Sequence, residues 1–402
     1  MNPLKPDDSP DVVKAFTEQW LEDHWDAALG CEKGAHDYDE KSWLARVFEA
    51  GLMVPTWPRE WFGLGLSSKS ARAIEKLFTR HKVPGAARDR YHLGAITLFK
   101  TGSESLKRDL LPVLLKGPIC CLLYSEPNAG SDLAGVRTRA DYDNGQYRIN
   151  GQKVWTSNAV DAEYGMLLAR TDWDVPKHKG VSFFLFPMKQ AGVEVRPINQ
   201  ITGESEFNEV FITDALVPEE HLLGEVNEGW KSFQLAIAYE RLIMGQGITE
   251  RRRKSAPGDV PKLIRIAQST GQIEDSHQRQ KIAQALAYRE LNKLNNNRAK
   301  EELASTGSTA LMSLSKLAMS RIQHGEARIA SDLLGANGIL DDADHPDASH
   351  AHFDAAKAYM NSIGGGTDQI QRNIIAERVL GLPREPEVDR DVAFKDVTMG
   401  PA

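Results

Sequence analysis

The spacing of apolar residues changes twice along the 402-residue chain, and this change constrains the fold more than any other sequence feature. Up to Lys116 apolar residues recur with the helical period, as over residues 12–29, and this period returns from Gly229. In between, short runs of branched and aromatic residues alternate with turn residues. The sequence therefore predicts an α+β protein whose domains are N-terminal helices (1–118), a middle β-barrel or sandwich (119–228) and a C-terminal helical bundle (229–385), with a charged, mobile tail (386–402).

The same spacing of apolar residues also predicts individual strands and helices. The β-type runs are CCLLYS, YRING, KVWTS, YGMLLAR, GVSFFLFPM, GVEVRPI and NEVFITD. The predicted C-terminal helices cover residues 230–248, 260–268, 276–297, 309–334 and 367–379. We interpret residues 341–352 as an acidic loop with histidines.

Composition excludes several classes of function. Asp plus Glu (56) exceed Lys plus Arg (49), and the net charge of −7 argues against a general binder of nucleic acid or anionic membranes. The first residues lack the pattern of a signal peptide, and no run of 18 apolar residues is present. Three cysteines, two of them adjacent, define no disulfide framework. We therefore expect a cytoplasmic protein that has neither nucleic acid nor a membrane as partner.

Two motifs follow β-type runs. In YSEPNAGSD (124–132) small residues allow close approach of the backbone to a ligand, and hydroxyls and turn amides can bind an anion, although an ordinary loop explains the same pattern. In NGQKVWTSN (150–158) Trp155 and Ser157 are two apart on a strand and share a face. They can present a flat aromatic face and a hydroxyl to a planar ligand. The alternative is that Trp155 is a core residue and Ser157 a nearby surface residue.

A third motif, GGGTDQIQRNIIAE (364–377), combines a glycine loop with a helix start. Thr367 is predicted to cap the helix, with Ile370, Ile374 and Ile375 as its apolar stripe. A glycine loop that enters a helix is a natural phosphate site, and it is also how many helices begin.

Taken in this order, the three motifs resemble those of the acyl-CoA dehydrogenase family over about residues 10–385. YSEPNAGSD resembles the family's middle-domain motif, KVWTSN its flavin-facing strand and GGGTDQIQRNIIAERVLG its C-terminal FAD motif. ITGESEFNEVFITD is most similar to bacterial, particularly actinobacterial, members. The resemblance implies N-terminal helices, a middle β-barrel and a C-terminal four-helix bundle.

The resemblance also implies a reaction and its ligands. Members oxidise an acyl-CoA to the 2-enoyl-CoA: a carboxylate takes the α-proton, FAD accepts the β-hydride, and electron-transfer flavoprotein reoxidises the flavin. The implied FAD contacts are Tyr124, Ser125, Ser131, Trp155, Thr156, Ser157, Gly335, Thr367 and Gln369. The implied substrate contacts are Ser131, Arg241, Gly365 and Gly366.

The position of the catalytic base in this sequence differs from that in most family members. Many members carry Glu directly before the Gly-Thr of the C-terminal motif, where this chain has Gly365. A minority, including the isovaleryl-CoA and long-chain enzymes, place the base on the first long C-terminal helix, before an Arg. Here LAIAYERLIMG puts Glu240 at that place, with Arg241 after it. We expect Glu240 to be the base, while the backbone N–H of Gly365 still donates to the thioester oxygen; a surface Glu–Arg pair is the alternative.

Other departures concern assembly. The family's Arg before Phe-Gly is absent from AQSTGQ, and its Gln before Leu-Gly-Gly is Asp332. Both a homotetramer and an α2β2 heterotetramer with FAD at only some interfaces therefore remain open. Two rival functions also remain: a non-catalytic partner subunit of such a heterotetramer, and a flavin-dependent oxygenase or oxidase.

Two charged clusters are interpreted as solvated loops. Residues 251–254 (RRRK) form a basic run for which a CoA phosphate is the alternative partner. The acidic and histidine residues of 341–352 match no metal-ligand spacing, so no metal site is predicted.

Overall fold

The computed structural model describes residues 4–117, 120–245, 261–306, 310–340 and 345–397. They divide into two compact units. The first contains the described residues up to Ile198, Glu206–Tyr239 and those from Asp389 onward. The second contains Asn199–Ser205 and Glu240–Val388.

Helices make up the N-terminal part of the first unit. They are α1 Pro10–His24, α2 Glu40–Glu49, α3 Ser68–Arg80, α4 Arg88–Tyr91, α5 Leu93–Thr101 and α6 Glu104–Lys116. The Trp20 ring lies 5.6 Å from Trp43 and 6.2 Å from Phe78 between centroids, so aromatic side chains join α1, α2 and α3. A short ribbon of β1 (Trp25–Asp26) and β2 (Cys31–Glu32) follows α1. The helix predicted over 12–29 therefore ends at His24.

A seven-stranded sheet follows these helices in the first unit. Its strands are β3 Cys121–Leu123, β4 Arg139–Asp143, β5 Gln146–Ser157, β6 Tyr164–Arg170, β7 Val181–Pro187, β8 Val193–Pro197 and β9 Phe207–Pro218. The strand order is β3-β6-β4-β5-β9-β8, and β7 also pairs with β6. YRING and KVWTS, predicted as separate strands, are the two halves of β5. Strand β4 was not predicted, because Arg and Asp dominate its sequence and it buries only Ala140.

One apolar core lies on the inner face of this sheet, and the strands contribute to it at alternate positions. The contributing pairs are Cys121 and Leu123, Tyr147 and Ile149, Leu167 and Ala169, Phe184 and Phe186, and Val210 and Ile212. Burial raises the pKa of Cys121 to about 12. A buried thiol of this kind is a packing residue rather than a nucleophile.

Helices form the second unit, together with the end of α7 (Gly229–Gly245). The others are α8 Lys262–Ser269, α9 Ser276–Thr306, α10 Met312–Leu334, α11 Pro346–Ile363 and α12 Asp368–Ile374, which continues as a π-helical turn over Ile375–Val379. Helix α10 packs against α8, α9, α11 and α12. None of the helices in the described ranges is long and apolar enough to span a membrane.

Helix α11 corrects the interpretation of 341–352 as a loop. Residues 341–344 lie outside the described part, but Pro346 begins a helix in which Ala348 and Ala351 are buried in the bundle core. The helix was missed because its core positions are mostly alanine, which gives a weak periodic signal although alanine is the best helix former.

The prediction of a mobile tail over residues 386–402 is also wrong for Asp389–Val397. Phe394 is only 1% exposed, its amide donates to the Val175 carbonyl (2.9 Å) and the Lys395 amide to that of Trp173 (2.9 Å). An apolar side chain within a charged segment gains free energy by burial, so this segment is anchored.

Candidate active site

The first two motifs meet within the first unit. The Val154 amide donates to the carbonyl of Ser125 (2.9 Å), and the Lys153 ammonium donates to the carbonyl of Tyr124 (3.1 Å). Tyr124 and Ser125 therefore lie directly beside the C-terminal half of β5. Residues about 30 positions apart in sequence, which the resemblance assigns to one ring system, are thus neighbours.

The end of β5 presents Trp155 to the outside. The register with β9 shifts between Lys153 and Thr156, and Trp155 in this bulge has φ +63°, a region that tryptophan rarely adopts. Its indole is 59% exposed. Thr156 is fully buried and Ser157 is exposed, which agrees with the predicted shared face of Trp155 and Ser157. A large exposed ring on strained backbone is typical of a binding site.

A buried ion pair that sequence reasoning missed supports this site. Lys153 has no exposed surface, and its ammonium lies 2.8 Å from the carboxylate of Glu126 and donates to the carbonyl of Leu168 (2.7 Å). The Glu126 carboxylate also accepts from the amides of Arg137 (2.6 Å) and Thr138 (2.8 Å). Burial opposes the charge of Glu126, but Lys153 and these amides outweigh it and hold the pKa of Glu126 below its ordinary value.

The loop after Glu126 is closed by backbone hydrogen bonds. Glu126 and Ala129 exchange two N–H···O bonds of 3.1 Å each. Ser131, assigned by the resemblance to FAD and substrate, is exposed, and the following Asp132 accepts from Lys177 (3.1 Å). The hydroxyl of Ser131 is therefore accessible to a ligand.

In the second unit, the glycine motif forms the predicted loop and cap. Gly365 and Gly366 have φ of +64° and +85°, and the Thr367 hydroxyl accepts from the Ile370 amide (3.2 Å), which confirms Thr367 as the N-cap. Gln369 is exposed. Gln371, which was not predicted, is buried and donates to the Gly365 carbonyl (3.0 Å). Its place one helical turn after Thr367 is the signal that could have revealed it.

Polar side chains of α10 hold both ends of the glycine loop. The Ser320 hydroxyl donates to Asp368, which follows the loop (2.8 Å), and lies 3.0 Å from that of Ser362, which precedes it. His324 Nε2 lies 2.6 Å from the Ser362 hydroxyl, and Lys316 donates to Asp368 (3.2 Å). The Gly365 backbone is therefore fixed by contacts that the sequence motif does not show.

The remaining predicted residues are also in the second unit. Glu240 is half-buried on α7; Arg241 follows it in the helix, but its side chain lies outside the described part. Gly335, with φ +55°, ends α10. Asp332, which stands where the family has Gln, is paired with Lys281 (2.8 Å), so its charge is partly balanced. The basic run 251–254 lies outside the described residues.

The residues of the first unit fit a flavin ring. An exposed indole offers a flat apolar face, and the hydroxyls of Ser157 and half-buried Ser125 can bond the polar edge of a planar heterocycle. The buried Glu126–Lys153 pair holds the two backbone segments that carry these groups together. The fold and this site define a flavin-type oxidoreductase.

Comparisons with known proteins identify the family. Residues 121–215 match the acyl-CoA dehydrogenase middle domain, and residues 227–380 match the acyl-CoA dehydrogenase C-terminal domain. Acyl-CoA dehydrogenase IpdE1 of Mycobacterium tuberculosis H37Rv is 34% identical over 390 residues, with 92% of this chain and 97% of IpdE1 covered. The chain therefore belongs to the acyl-CoA dehydrogenase family.

A second curated relative and a solved structure support the same family assignment. Acyl-CoA dehydrogenase FadE34 of the same strain is 34% identical over 86% of this chain, which spans about half (47%) of that longer protein. The solved structure of the Tcur3481–Tcur3483 steroid ACAD superposes with a TM-score of 0.69 at 25% identity, with 94% of this chain and 97% of that chain covered. The expected order of helical, β and helical domains is thus confirmed.

Proposed function

We propose that this chain catalyses the FAD-dependent α,β-dehydrogenation of an acyl-CoA thioester to the 2-enoyl-CoA and passes the electrons to electron-transfer flavoprotein. The observation that carries the proposal is the backbone junction of Ser125 with Val154, which places half-buried Ser125 beside the end of β5 that carries the exposed Trp155 and Ser157. This junction matches the assignment of both motifs to one isoalloxazine ring. Family membership supports the same reaction class.

FAD, when bound, supplies the acceptor for the hydride from the β-carbon. Trp155 would cover one face of its ring, and the hydroxyls of Ser125 and Ser157 would bond its polar edge. Thr367, Gln369 and Gly335 would hold the nucleotide half. Residues that bind a ligand need rigid support. The Glu126–Lys153 pair provides it for the bulged strand of the first unit, and the α10 contacts provide it for the glycine loop of the second unit.

Glu240 would act as the general base. Its carboxylate would take the proton from the α-carbon, and the electron pair left behind would form the α,β double bond as the hydride leaves. Glu240 is half-buried on α7, and a carboxylate is a common general base in enzymes. Gly365 has no side chain to compete for this role, but its N–H can bond the thioester oxygen as negative charge develops there.

The test of this mechanism is Glu240→Gln. We expect the rate of flavin bleaching by acyl-CoA to fall about 100- to 10,000-fold, the usual contribution of a general base, with FAD content unchanged. Glu301→Gln removes an exposed carboxylate of the second unit and serves as the matched control. Unchanged reduction kinetics in the Glu240 variant would exclude Glu240 from the mechanism.

A bulky or branched acyl group is the substrate class that we propose. Gly365 is exposed, and a Cβ at this position would meet no atom within 4 Å among the described residues, so space is open where many members carry a glutamate. A structural relative is named as a steroid ACAD, which is consistent with a large acyl group. Flavin reduction by straight-chain, branched and steroid-derived CoA thioesters tests this, and a clear preference for short straight chains would contradict it.

A partner-subunit role is the second candidate. It is favoured by the absence of a carboxylate at 365 and by a structural relative whose name, Tcur3481–Tcur3483 steroid ACAD, joins two proteins. In that case the chain would complete the FAD site of another subunit within an α2β2 tetramer. Purified alone, such a chain would be stable and colourless, whereas an active homotetramer would be yellow and bleach with acyl-CoA.

A further inference from the structure

The segment Asp389–Val397, here called the C-terminal strap, contacts three cationic residues of the first unit, Arg137, Arg170 and Lys177. The Phe394 ring lies 3.5 Å from the guanidinium carbon of Arg170 and 5.5 Å from the Trp173 ring. A salt bridge between Lys395 and Asp174 (2.5 Å) adds to the backbone hydrogen bonds of the strap. The strap is therefore held by one buried aromatic residue and polar contacts beside it.

Arg170 connects Phe394 of the strap to the loop after the YSEPNAGSD motif. Its side chain has no exposed surface and donates to the carbonyls of Ala134 (2.6 Å), Val136 (3.0 Å) and Lys177 (3.2 Å). Phe394 covers the flat face of the guanidinium group, which leaves the N–H groups in its plane free to bond these carbonyls. A buried guanidinium in this position fixes the backbone over residues 134–136.

Lys177 forms a second link. Its ammonium donates to Asp132, the last residue of the motif (3.1 Å), and to Asp389 of the strap (3.3 Å). Although partial burial opposes its charge, the two carboxylates raise the pKa of Lys177, so it remains a cation at neutral pH. The strap and the motif thus share one lysine.

We infer that the C-terminal strap positions the loop of residues 131–137 for acyl-CoA binding. Phe394 fixes Arg170 and Asp389 helps fix Lys177, and these two cations bind the loop at Asp132, Ala134 and Val136. The inference rests on the proposed function for the role of Ser131 toward the substrate. The Phe394 ring also lies 5.2 Å from the guanidinium carbon of Arg137, within the loop. Phe394 and Asp389 are positioning residues, since they act on the loop and its two cations rather than on substrate or FAD.

The experiment uses the full chain and two variants. Phe394→Ala removes the ring over Arg170, and Asp389→Asn removes one charge without opening a cavity. Val388→Ala, at a position 95% exposed and directly before the strap, is the matched control. Hydrogen–deuterium exchange of peptides covering 131–138 measures the order of the loop, and steady-state kinetics separate KM from kcat.

For Phe394→Ala we expect about tenfold faster exchange over 131–138 and a KM for acyl-CoA raised about tenfold, the effect of one charge-assisted hydrogen bond, with kcat within about twofold. Asp389→Asn should also raise the exchange rate over 131–138 and the KM for acyl-CoA, but less than Phe394→Ala does. Loop exchange equal to that of Val388→Ala in both variants, or a fall in kcat at constant KM, would overturn the inference. If no thioester reduces the flavin of the unaltered chain, the proposed function fails, and the exchange result alone still decides whether the strap orders the loop.

Discussion

The ammonium group of Lys153 lies 2.8 Å from the carboxylate of Glu126, at a position where the lysine has no exposed surface. Glu126 follows Ser125 directly, and Lys153 precedes Trp155 by two residues. The pair therefore joins the two predicted flavin-binding motifs from their buried side. Charged residues next to a binding motif here serve to connect two backbone segments rather than to contact a ligand.

Lys153→Met should destabilise the first unit by about 3–5 kcal/mol, because it leaves the Glu126 carboxylate buried without its cation. The double variant Glu126→Gln/Lys153→Met should recover most of this loss, since no uncompensated charge remains. Urea unfolding followed by tryptophan fluorescence measures both. A single variant as stable as the unaltered chain would show that the pair contributes little.

Trp155→Ala should weaken FAD binding about tenfold through loss of ring stacking and should hardly change stability, since 59% of the indole surface is exposed. Trp155→Gly is its matched control. It loses the same ring but relieves φ +63°, so it should be about 1 kcal/mol more stable than the alanine variant with the same weakened FAD affinity. Flavin titration and thermal unfolding of the apoprotein test the two effects separately.

The elements with strong local signals were predictable. Strand β6 spans Tyr164–Arg170, the predicted run, because a continuous apolar segment is bounded by turn residues. The cap at Thr367 was also predictable, since three glycines before a helical pattern leave few alternatives. In both cases the information lies within a few adjacent residues.

The features that were missed depend on distant partners. Glu126 and Lys153 are 27 residues apart, and neither position alone indicates burial. Phe394 is buried only because Arg170 and Trp173 provide its pocket, so a composition-based reading assigns its segment to a tail. Sequence periodicity predicts which face of a helix or strand is buried. The Glu126–Lys153 pair and the burial of Phe394 depend instead on residues that are distant in sequence.

His92 should make the stability of the first unit depend on pH. Burial lowers the pKa of His92 to about 4, and its Nδ1 accepts from the Ala95 amide (3.1 Å) at the start of α5. Between the ordinary value of about 6.5 and about 4, the unfolded chain takes up the proton first, so stability falls as pH falls through this window. The loss through this residue between pH 7 and pH 5 should be about 2 kcal/mol.

The control for this prediction is His92→Asn, which keeps a side-chain acceptor for the helix cap but does not titrate in this range. Urea unfolding at pH 7 and pH 5 should show a smaller pH dependence for the variant, by about the same 2 kcal/mol. Equal pH dependence in the two proteins would show that the pKa of His92 is the same in the folded and the unfolded chain, which would contradict the prediction.

Gly365→Glu in the Glu240→Gln background tests whether the base has moved between two places in this fold. Among the described residues the Cβ at 365 would meet no atom within 4 Å, and φ +64° adds a backbone cost of about 1–2 kcal/mol, so the variant should fold with a modest loss of stability. If a carboxylate here can reach the same α-proton, flavin reduction by acyl-CoA should recover at least about tenfold over Glu240→Gln alone. Gly365→Gln in the same background has nearly the same volume and backbone strain but no base, and it should recover nothing. No recovery by the glutamate, with FAD and thioester still bound, would mean that the glycine loop of this chain does not face the reacting carbons.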